Sequence, residues 1–340
     1  MAEEKTQVAA NEVKSGENIT KRRYVKRMRK VPCLGLFFAF MFAFLMSTSV
    51  AIVKLIKGLH ALEVLVIRSI IQAVFFGILM WYKKSTVFGH PGERWHVFGR
   101  SVSGAINMCG WYLSVKKISL MDSSAIYYSA PVFVVVLASI FLREPFGLFE
   151  ALSTTLTLIG VLLISRPQFI PFFADKLHPM TNDTICGLLL ALLASFTFAM
   201  ANIHLRKLQK TTTEVNSFWF SIACIVSGVV VVPFIDQLKI PENFTQWLLC
   251  LAVGVCGCLG LICFSLSMKI EKAGPVSIVQ SSTLVIVLIY QLALFSEPIT
   301  LMCLIGSFLI GASIVIIGLK DALYTKTIEK LKHKMTSTAV

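Results

Sequence analysis

Charge is scarce in this chain. Asp, Glu, Lys and Arg make up 15% of its 340 residues, against 56% hydrophobic, and the mean hydropathy is +0.77. A soluble domain is nearer a quarter charged. So few polar groups cannot cover a soluble fold of this length, which leaves the bilayer as the solvent. Acids are scarcer than bases, 18 against 32, and no Asp or Glu stands deep within an apolar run. A carboxylate proton relay or a sodium site therefore lacks its ligands. Catalytic motifs are missing too: there is no Gly-rich phosphate loop, no His-Glu-x-x-His and no Gly-x-Ser-x-Gly, which argues against an enzyme. The nine cysteines include only one close pair, Cys256 and Cys258, with no His nearby. No zinc site, and no other metal or cofactor, is expected from that spacing. The thiols read as small fillers of helix contacts. A channel would need a continuous polar stripe or filter, and no apolar run has one.

The formal charge of +14 gathers mainly in KRRYVKRMRK (21–30) and KTIEKLKHK (326–334). No zinc-finger spacing or aromatic-basic motif accompanies these clusters, so nucleic acid is not the expected partner. Short basic segments beside apolar runs mark a cytoplasmic membrane face. Residues 1–31 read as a disordered, basic cytoplasmic tail. No cleavable signal peptide is seen, and the first apolar run, near Pro32, reads as a retained anchor.

What the chain has in quantity is long apolar runs. A spanning helix needs about 20 mainly apolar residues. Ten candidates occur, near 33–53, 62–82, 96–115, 123–142, 148–165, 184–204, 216–235, 246–268, 276–295 and 300–319. They are continuously apolar, unlike the alternating strands of a membrane barrel. Arg and Lys concentrate before span 1, after span 2 (Lys83, Lys84, Arg94) and after span 6 (Arg206, Lys207, Lys210). This bias places the N-terminus in the cytoplasm, and ten spans return the C-terminus there. The sequons at Asn182 and Asn243 then fall on the opposite side.

The junction LREPF (142–146) is echoed by FSEPI (295–299), 153 residues on. The same offset carries Leu113-Ser114-Val115-Lys116 onto Leu266-Ser267-Met268-Lys269, and Gly104 onto Gly257. Three landmarks in order indicate an internal duplication. The expected organisation is a first five-helix repeat over 32–167, a second over 184–320, and a cytoplasmic C-terminal tail over 321–340. Five is odd, so the second repeat enters the membrane from the other side. The fold class is thus all-α, ten transmembrane helices in two inverted five-helix repeats, an arrangement typical of secondary transporters. Glu144 and Glu297 read as helix-start carboxylates in the hairpins that close each repeat, each beside a Pro at a helix start.

The stretch YYSAPVFVVVLASIFLREPFGLFEALSTTLTLIGVLLISRP, with ten spans in two five-helix halves, resembles the drug/metabolite transporter superfamily of the EamA type. Within it the chain is most similar to the G-type members of solute carrier family 35. The resemblance covers roughly 33–320. The second half departs from the pattern: STLVIVLIYQLALFSEPI lacks the Pro matching Pro131 and the Arg matching Arg143. The resemblance implies transport of a small organic solute, a group that includes nucleotide sugars, amino acids and organic anions, without fixing which.

Ionisable and hydrogen-bonding groups within the spans are the candidate substrate-binding residues. Arg68 in span 2 could grip a carboxylate or phosphate, and the resemblance implies an Arg near this point. It could instead pair with Glu63 or snorkel. Lys116 and Lys269, repeat mates, could be cation sites for an anion or plain interface lysines. Asn107 and Trp111 are four apart and share a face of span 3. With Tyr112, and with Tyr127, Tyr128 and Ser129 of span 4, they offer hydrogen bonds and an aromatic wall. In the second half the counterparts are Asn202, His204 and Gln280, the last matching Tyr127 at the repeat offset. His204 could carry a proton near neutral pH. An interior with cations and neutral hydrogen-bonders but no acids suits an organic anion such as a di- or tricarboxylate, moved by exchange or facilitated diffusion in a plasma membrane or an endomembrane. A second reading is a regulatory membrane adaptor, because Thr338 and Val340 match the end of a PDZ-binding peptide.

Overall fold

The computed structural model describes residues 31, 33–56, 58–59, 61–144, 147–167, 170, 181–231, 240–295 and 300–337. Among them the chain forms ten helices and no strand. They are α1 (Leu34–Leu55), α2 (Ala61–Tyr82) and α3 (Arg94–Lys117), the last entered through a 3-10 turn at Pro91–Glu93. Next come α4, in two segments (Leu120–Tyr127 and Ala130–Leu137, the latter running into a π turn at Ala138–Leu142), and α5 (Leu148–Ser165). The second half holds α6 (Asn182–Lys207), α7 (Thr213–Val231) and α8 (Phe244–Ile270). It ends with α9, again in two segments (Ala273–Gln280 and Ser282–Phe295), and α10 (Leu301–Ser337).

Nine of these segments are both long and apolar enough to cross a bilayer, by length and composition. The tenth, α3, is long enough at 24 residues but carries Arg94, His96, Arg100, Lys116 and Lys117. It is tolerable at that depth only because α6 and α7 pack along it. The bundle is inside-out relative to a soluble fold. Val74, Ile78, Leu192, Leu251 and Phe308 are exposed, while Ser47, Gln72, Ser114, Asn202 and Ser265 are buried. Lipid tails accept the first set, and only protein partners can accept the second. Exposed aromatics mark both ends: Trp81, Tyr82 and Trp95 at one, Phe244 and Trp247 at the other. This is the aromatic belt of a membrane protein.

The two halves make matching contacts. α3 packs along α6 as α8 packs along α1, and α3 touches α7 as α8 touches α2. α2 pairs with its own repeat mate α7, and α5 with α10. The match extends to single glycines. A Cβ on Gly35 would lie 2.6 Å from Glu271, and one on Gly187 would lie 2.5 Å from Ile118. Gly35 and Gly187 are 152 apart, Ile118 and Glu271 153. The duplication read from the sequence is thus built into the packing.

α5 and α10 meet backbone to backbone. A Cβ on Gly160 would stand 2.7 Å from the Gly306 carbonyl oxygen, and one on Gly306 would stand 2.7 Å from that of Gly160. Such small-residue seams let membrane helices touch. Beside them the Thr157 hydroxyl donates to Ser313 Oγ at 2.8 Å. Gly160→Val therefore forces the two backbones apart. It is expected to cost about 2 kcal/mol, visible as a lower melting temperature in detergent, whereas Gly318→Val, with nothing within 4 Å of its Cβ, should be neutral.

Both breaks fall at one register. α4 breaks at Tyr128 and Ser129, and α9 at Ser281, which lies 153 beyond Tyr128. In α4, Pro131 sits in the first turn of the second segment and lacks the N–H that would continue the first. In α9 the position matching Pro131 is Leu284, and the helix's proline, Pro275, lies six residues before the break, yet the break is kept. Side chains from the neighbouring helix accompany each break. Ser195 Oγ of α6 donates to the Tyr127 carbonyl at 3.2 Å, and Ser47 Oγ of α1 donates to that of Thr283 at 3.1 Å.

The largest apolar core does not follow this symmetry. It joins Leu36 and Ala39 of α1, Val97 of α3, Val134 and Leu137 of α4, and Ile203 and Leu205 of α6. It continues through Phe264 and Met268 of α8, Val276 of α9 and Ile317 of α10. These belong to the end of the bundle where α1, α3 and α9 begin. Among the described residues the opposite end holds smaller clusters, around Val64 with Val253 and around Leu62 with Val66.

Polar clamps close the same end. Glu144, after the π turn, accepts from Arg206 Nε at 3.0 Å and from the Ala273 N–H at 3.0 Å, while Arg206 Nη1 donates to the Met268 carbonyl at 2.6 Å. Its carboxylate thus sits at a helix start, as the sequence suggests, but at that of α9 in the other half. Glu150 takes the start of α5 instead, accepting from the Gly147 N–H at 3.1 Å. Glu297 and Pro298 lie outside the described residues, as do the basic tail 1–30 and the PDZ-like Thr338 to Val340.

Candidate functional site

Two arginines stand inside the bundle. Arg68 is on α2, seven residues from its start, and half-buried; Arg100 is on α3 and 5% exposed. Among the described residues neither has an ion-pair partner, and the Nε of each is buried without a hydrogen bond. The Arg100 guanidinium lies 4.3 Å from the Phe220 ring centre and 5.8 Å from that of Phe264. A desolvated cation–π contact contributes about 2 kcal/mol, whereas burying an unpaired charge costs several. The aromatic faces alone do not balance the burial.

The repeat-mated glycines hold these two groups. A Cβ on Gly104 would lie 2.4 Å from Arg100 Nη1 and 2.6 Å from the Phe220 ring. One on Gly257 would lie 2.1 Å from Gln72 Nε2 and 3.3 Å from Arg68 Nε. The landmark that revealed the duplication is therefore a pair of cradles for cationic side chains. Cys224 of α7 is within electrostatic range of both arginines, and Arg68 is within range of the Tyr112 hydroxyl.

Of the expected aromatic wall, Trp111, Tyr127 and Tyr128 come together. Trp111 lies 4.4 Å from Tyr127 and 6.2 Å from Tyr128, centre to centre, and Tyr127 reaches Phe198 at 5.8 Å. Asn107, 2% exposed, donates to the Ala194 carbonyl at 3.2 Å and meets the Tyr127 hydroxyl at 3.4 Å. Arg100 is within electrostatic range of that same hydroxyl. Tyr112 turns elsewhere, packing on Leu62, Leu65 and Val66 of α2.

Among the described residues several buried amides have no hydrogen-bond partner. Neither amide atom of Gln280 has a partner, although the residue ends the first segment of α9 and is buried. The same holds for Asn202, and Gln72 Nε2, Asn216 Oδ1, Ser217 Oγ and Ser282 Oγ are also unpartnered. Each such group costs about 1–3 kcal/mol. Buried polar groups without a protein partner are ones that water or a bound solute can satisfy.

The remaining candidates lie apart from this cluster. Lys269 donates to the Thr211 carbonyl at 2.6 Å and staples the end of α8 to the loop between α6 and α7. The Lys116 side chain lies outside the described residues. His204 meets His96 at the closed end of α3, Nδ1 to Nδ1 at 3.1 Å. Arg100, Gln72 and His96 are the groups that sequence reading misses. Arg100 satisfies the rule that singles out Arg68, an ionisable side chain within a span.

Two five-helix repeats, broken at matching points around a basic and amide-rich interior, define a multi-span membrane transporter. The comparisons with known proteins agree. The model of the EamA-like transporter family matches residues 33–166 and again 185–319. Mouse solute carrier family 35 member G1 is 31% identical over 274 residues, 79% of this chain and 74% of its own length. The human protein of that name is 30% identical over 290 residues, 84% and 79% of the two chains. The pseudopaline exporter CntI of Pseudomonas aeruginosa is 25% identical over 248 residues, 72% of this chain and 81% of its own. A crystal structure at 12% identity superposes with a TM-score of 0.72, covering 86% of this chain and 99% of that one, and shares the fold. The chain belongs to the EamA-like transporter family, and within it is similar to the G-type solute carriers of family 35. It is a transporter and not an enzyme.

Proposed function

We propose that the protein carries a small organic anion, such as a di- or tricarboxylate, by alternating access. The observation that carries this reading is the pair Arg68 and Arg100, one half-buried and one buried, each with an open Nε and, among the described residues, no ion-pair partner. An arginine can hold a carboxylate through two parallel hydrogen bonds. Two such forks, with the Gln72 amide next to Arg68, suit a solute with more than one carboxylate. Trp111 and Tyr127 would flank its apolar part. The inverted repeats supply the movement: the sealed end and the open end exchange packing while the site between them stays in place. With both termini cytoplasmic, the sealed end faces the cytoplasm. The membrane is a plasma membrane or an endomembrane, and solute gradients alone suffice to drive exchange.

The test is counterflow on the full chain in liposomes, across di- and tricarboxylates, nucleotide sugars, amino acids and organic cations. Exchange of one anion class, reduced about tenfold or more in Arg68→Ala by loss of a charge-assisted contact, is the expected result. Strong uptake of a cation with none of any anion would sink the reading.

A further inference from the structure

His96 opens α3 and His204 closes α6, so the two rings meet at the sealed end of the longest helix contact in the bundle. Their Nδ1 atoms are 3.1 Å apart and their ring centres 5.4 Å. Gly99 makes the room: a Cβ there would lie 2.7 Å from the His204 ring. One Nδ1 must carry the hydrogen and the other the lone pair. If both rings were protonated, two N–H groups and two like charges would face each other at that distance, and the contact could not persist.

The surroundings sharpen this. Lys207 on α6 and Arg100 on α3 act on the pair as cations, and Glu93, just ahead of α3, as an anion. Glu93 is already engaged, accepting from the N–H groups of Lys210 and Thr211 and from the Thr211 hydroxyl at 2.7–3.1 Å. The π turn of α4 presents Phe141 to Lys207, and Glu144 beyond it is held by Arg206. Glu214 on α7 is tied to Lys83 at 3.4 Å.

We propose that His96 and His204 form a proton-binding site that couples to the opening of this end. The sealed state holds a single hydrogen between the two Nδ1 atoms. The opened state, with the rings apart and hydrated, takes up one more proton. By linkage, acid on this side favours opening toward it. Histidine ordinarily titrates near pH 6.5, so the response falls within the range pH 5 to 8. The coupling rests on the proposed alternating-access transport, but the opening it predicts can be measured without flux.

The experiment uses the full chain in liposomes with a single reporter, Leu208→Cys, in a cysteine-free background. Leu208 is 1% exposed within the sealed core, so a water-soluble maleimide labels it only when that end opens. Labelling is read as a ratio to the same reporter carrying His204→Gln, which cancels the thiol's own pH dependence. The expected ratio rises about tenfold from pH 8 to pH 5.5, the effect of one linked proton. His96→Gln should flatten the response as His204→Gln does. A ratio that stays level overturns the proposal, as does a response surviving in the His96→Gln variant. A rising ratio with no exchange of any organic anion upholds the proton site and sinks the anion reading instead. Anion exchange with a level ratio does the reverse.

Discussion

Arg100→Ala is expected to cut solute flux about 100-fold while leaving the melting temperature unchanged or higher. The two halves of that result have one cause. Arg100 has no anionic partner among the described residues, and its rings at 4.3 and 5.8 Å offset only part of its desolvation. Removing the charge removes that cost from the empty protein. Removing it from the loaded protein deletes a fork of charge-assisted hydrogen bonds, about 3 kcal/mol for two. A residue kept for packing would behave the opposite way, with stability falling together with flux. Arg100→Lys separates charge from geometry, because a lysine supplies the charge without the planar fork. Counterflow and thermal unfolding on the same preparations decide the matter. Retained flux in the alanine variant, or a melting temperature that falls with it, would remove Arg100 from the site.

The second large effect concerns the clamp rather than the site. Glu144→Ala leaves Arg206 without its carboxylate and the Ala273 N–H without an acceptor. Both ionic side chains are only 15% exposed, so the loss approaches that of a broken buried pair, about 3 kcal/mol. The substitution spans both halves, since Glu144 joins the end of α4 to α6 and α9, and Arg206 carries the clamp on to α8. The expected outcome is a shift toward the state open at this end, about 100-fold in population. It would be read as faster maleimide labelling of Leu208→Cys at fixed pH. Glu144→Gln keeps an acceptor for Ala273 and should fall between. Labelling that does not change in either variant would show that the apolar core alone seals this end.

Most of the frame was legible in the sequence because membrane helices must satisfy their own backbone. Span 1, read near 33–53, is α1 at Leu34–Leu55, and span 6, read near 184–204, is α6 at Asn182–Lys207. The repeat was legible from a few letters at one offset, and it returns as paired contacts of Gly35 and Gly187. The breaks at Tyr128 and Ser281 were not legible. Hydropathy runs straight through them, and in α9 no proline stands at the break. What keeps it lies on another helix, near Ser47. Arg100 escaped for a different reason. It stands six residues after Arg94 in a polar helix start, where a base ordinarily marks the water interface, and only the fold shows it turned inward between Phe220 and Phe264. The partner of Glu144 was equally hidden, because nothing local points to Ala273, 129 residues away.

The pairing of α2 with α7 and of α5 with α10 bears on ancestry. In each case a helix lies against its own duplicate, so the surface involved is complementary to itself, as in an isologous dimer interface. A single ancestral repeat with these faces could have paired with a second copy inserted upside down, and would have needed no fusion to do so. What fusion added was freedom for the halves to differ. Both arginines, Trp111 and Tyr127 now belong to one half, and Gln280 and Asn202 to the other. A pair of identical repeats would present a solute with the same wall twice. If these groups line the proposed anion site, the fused chain presents two different walls there, and so can hold an asymmetric molecule in one orientation.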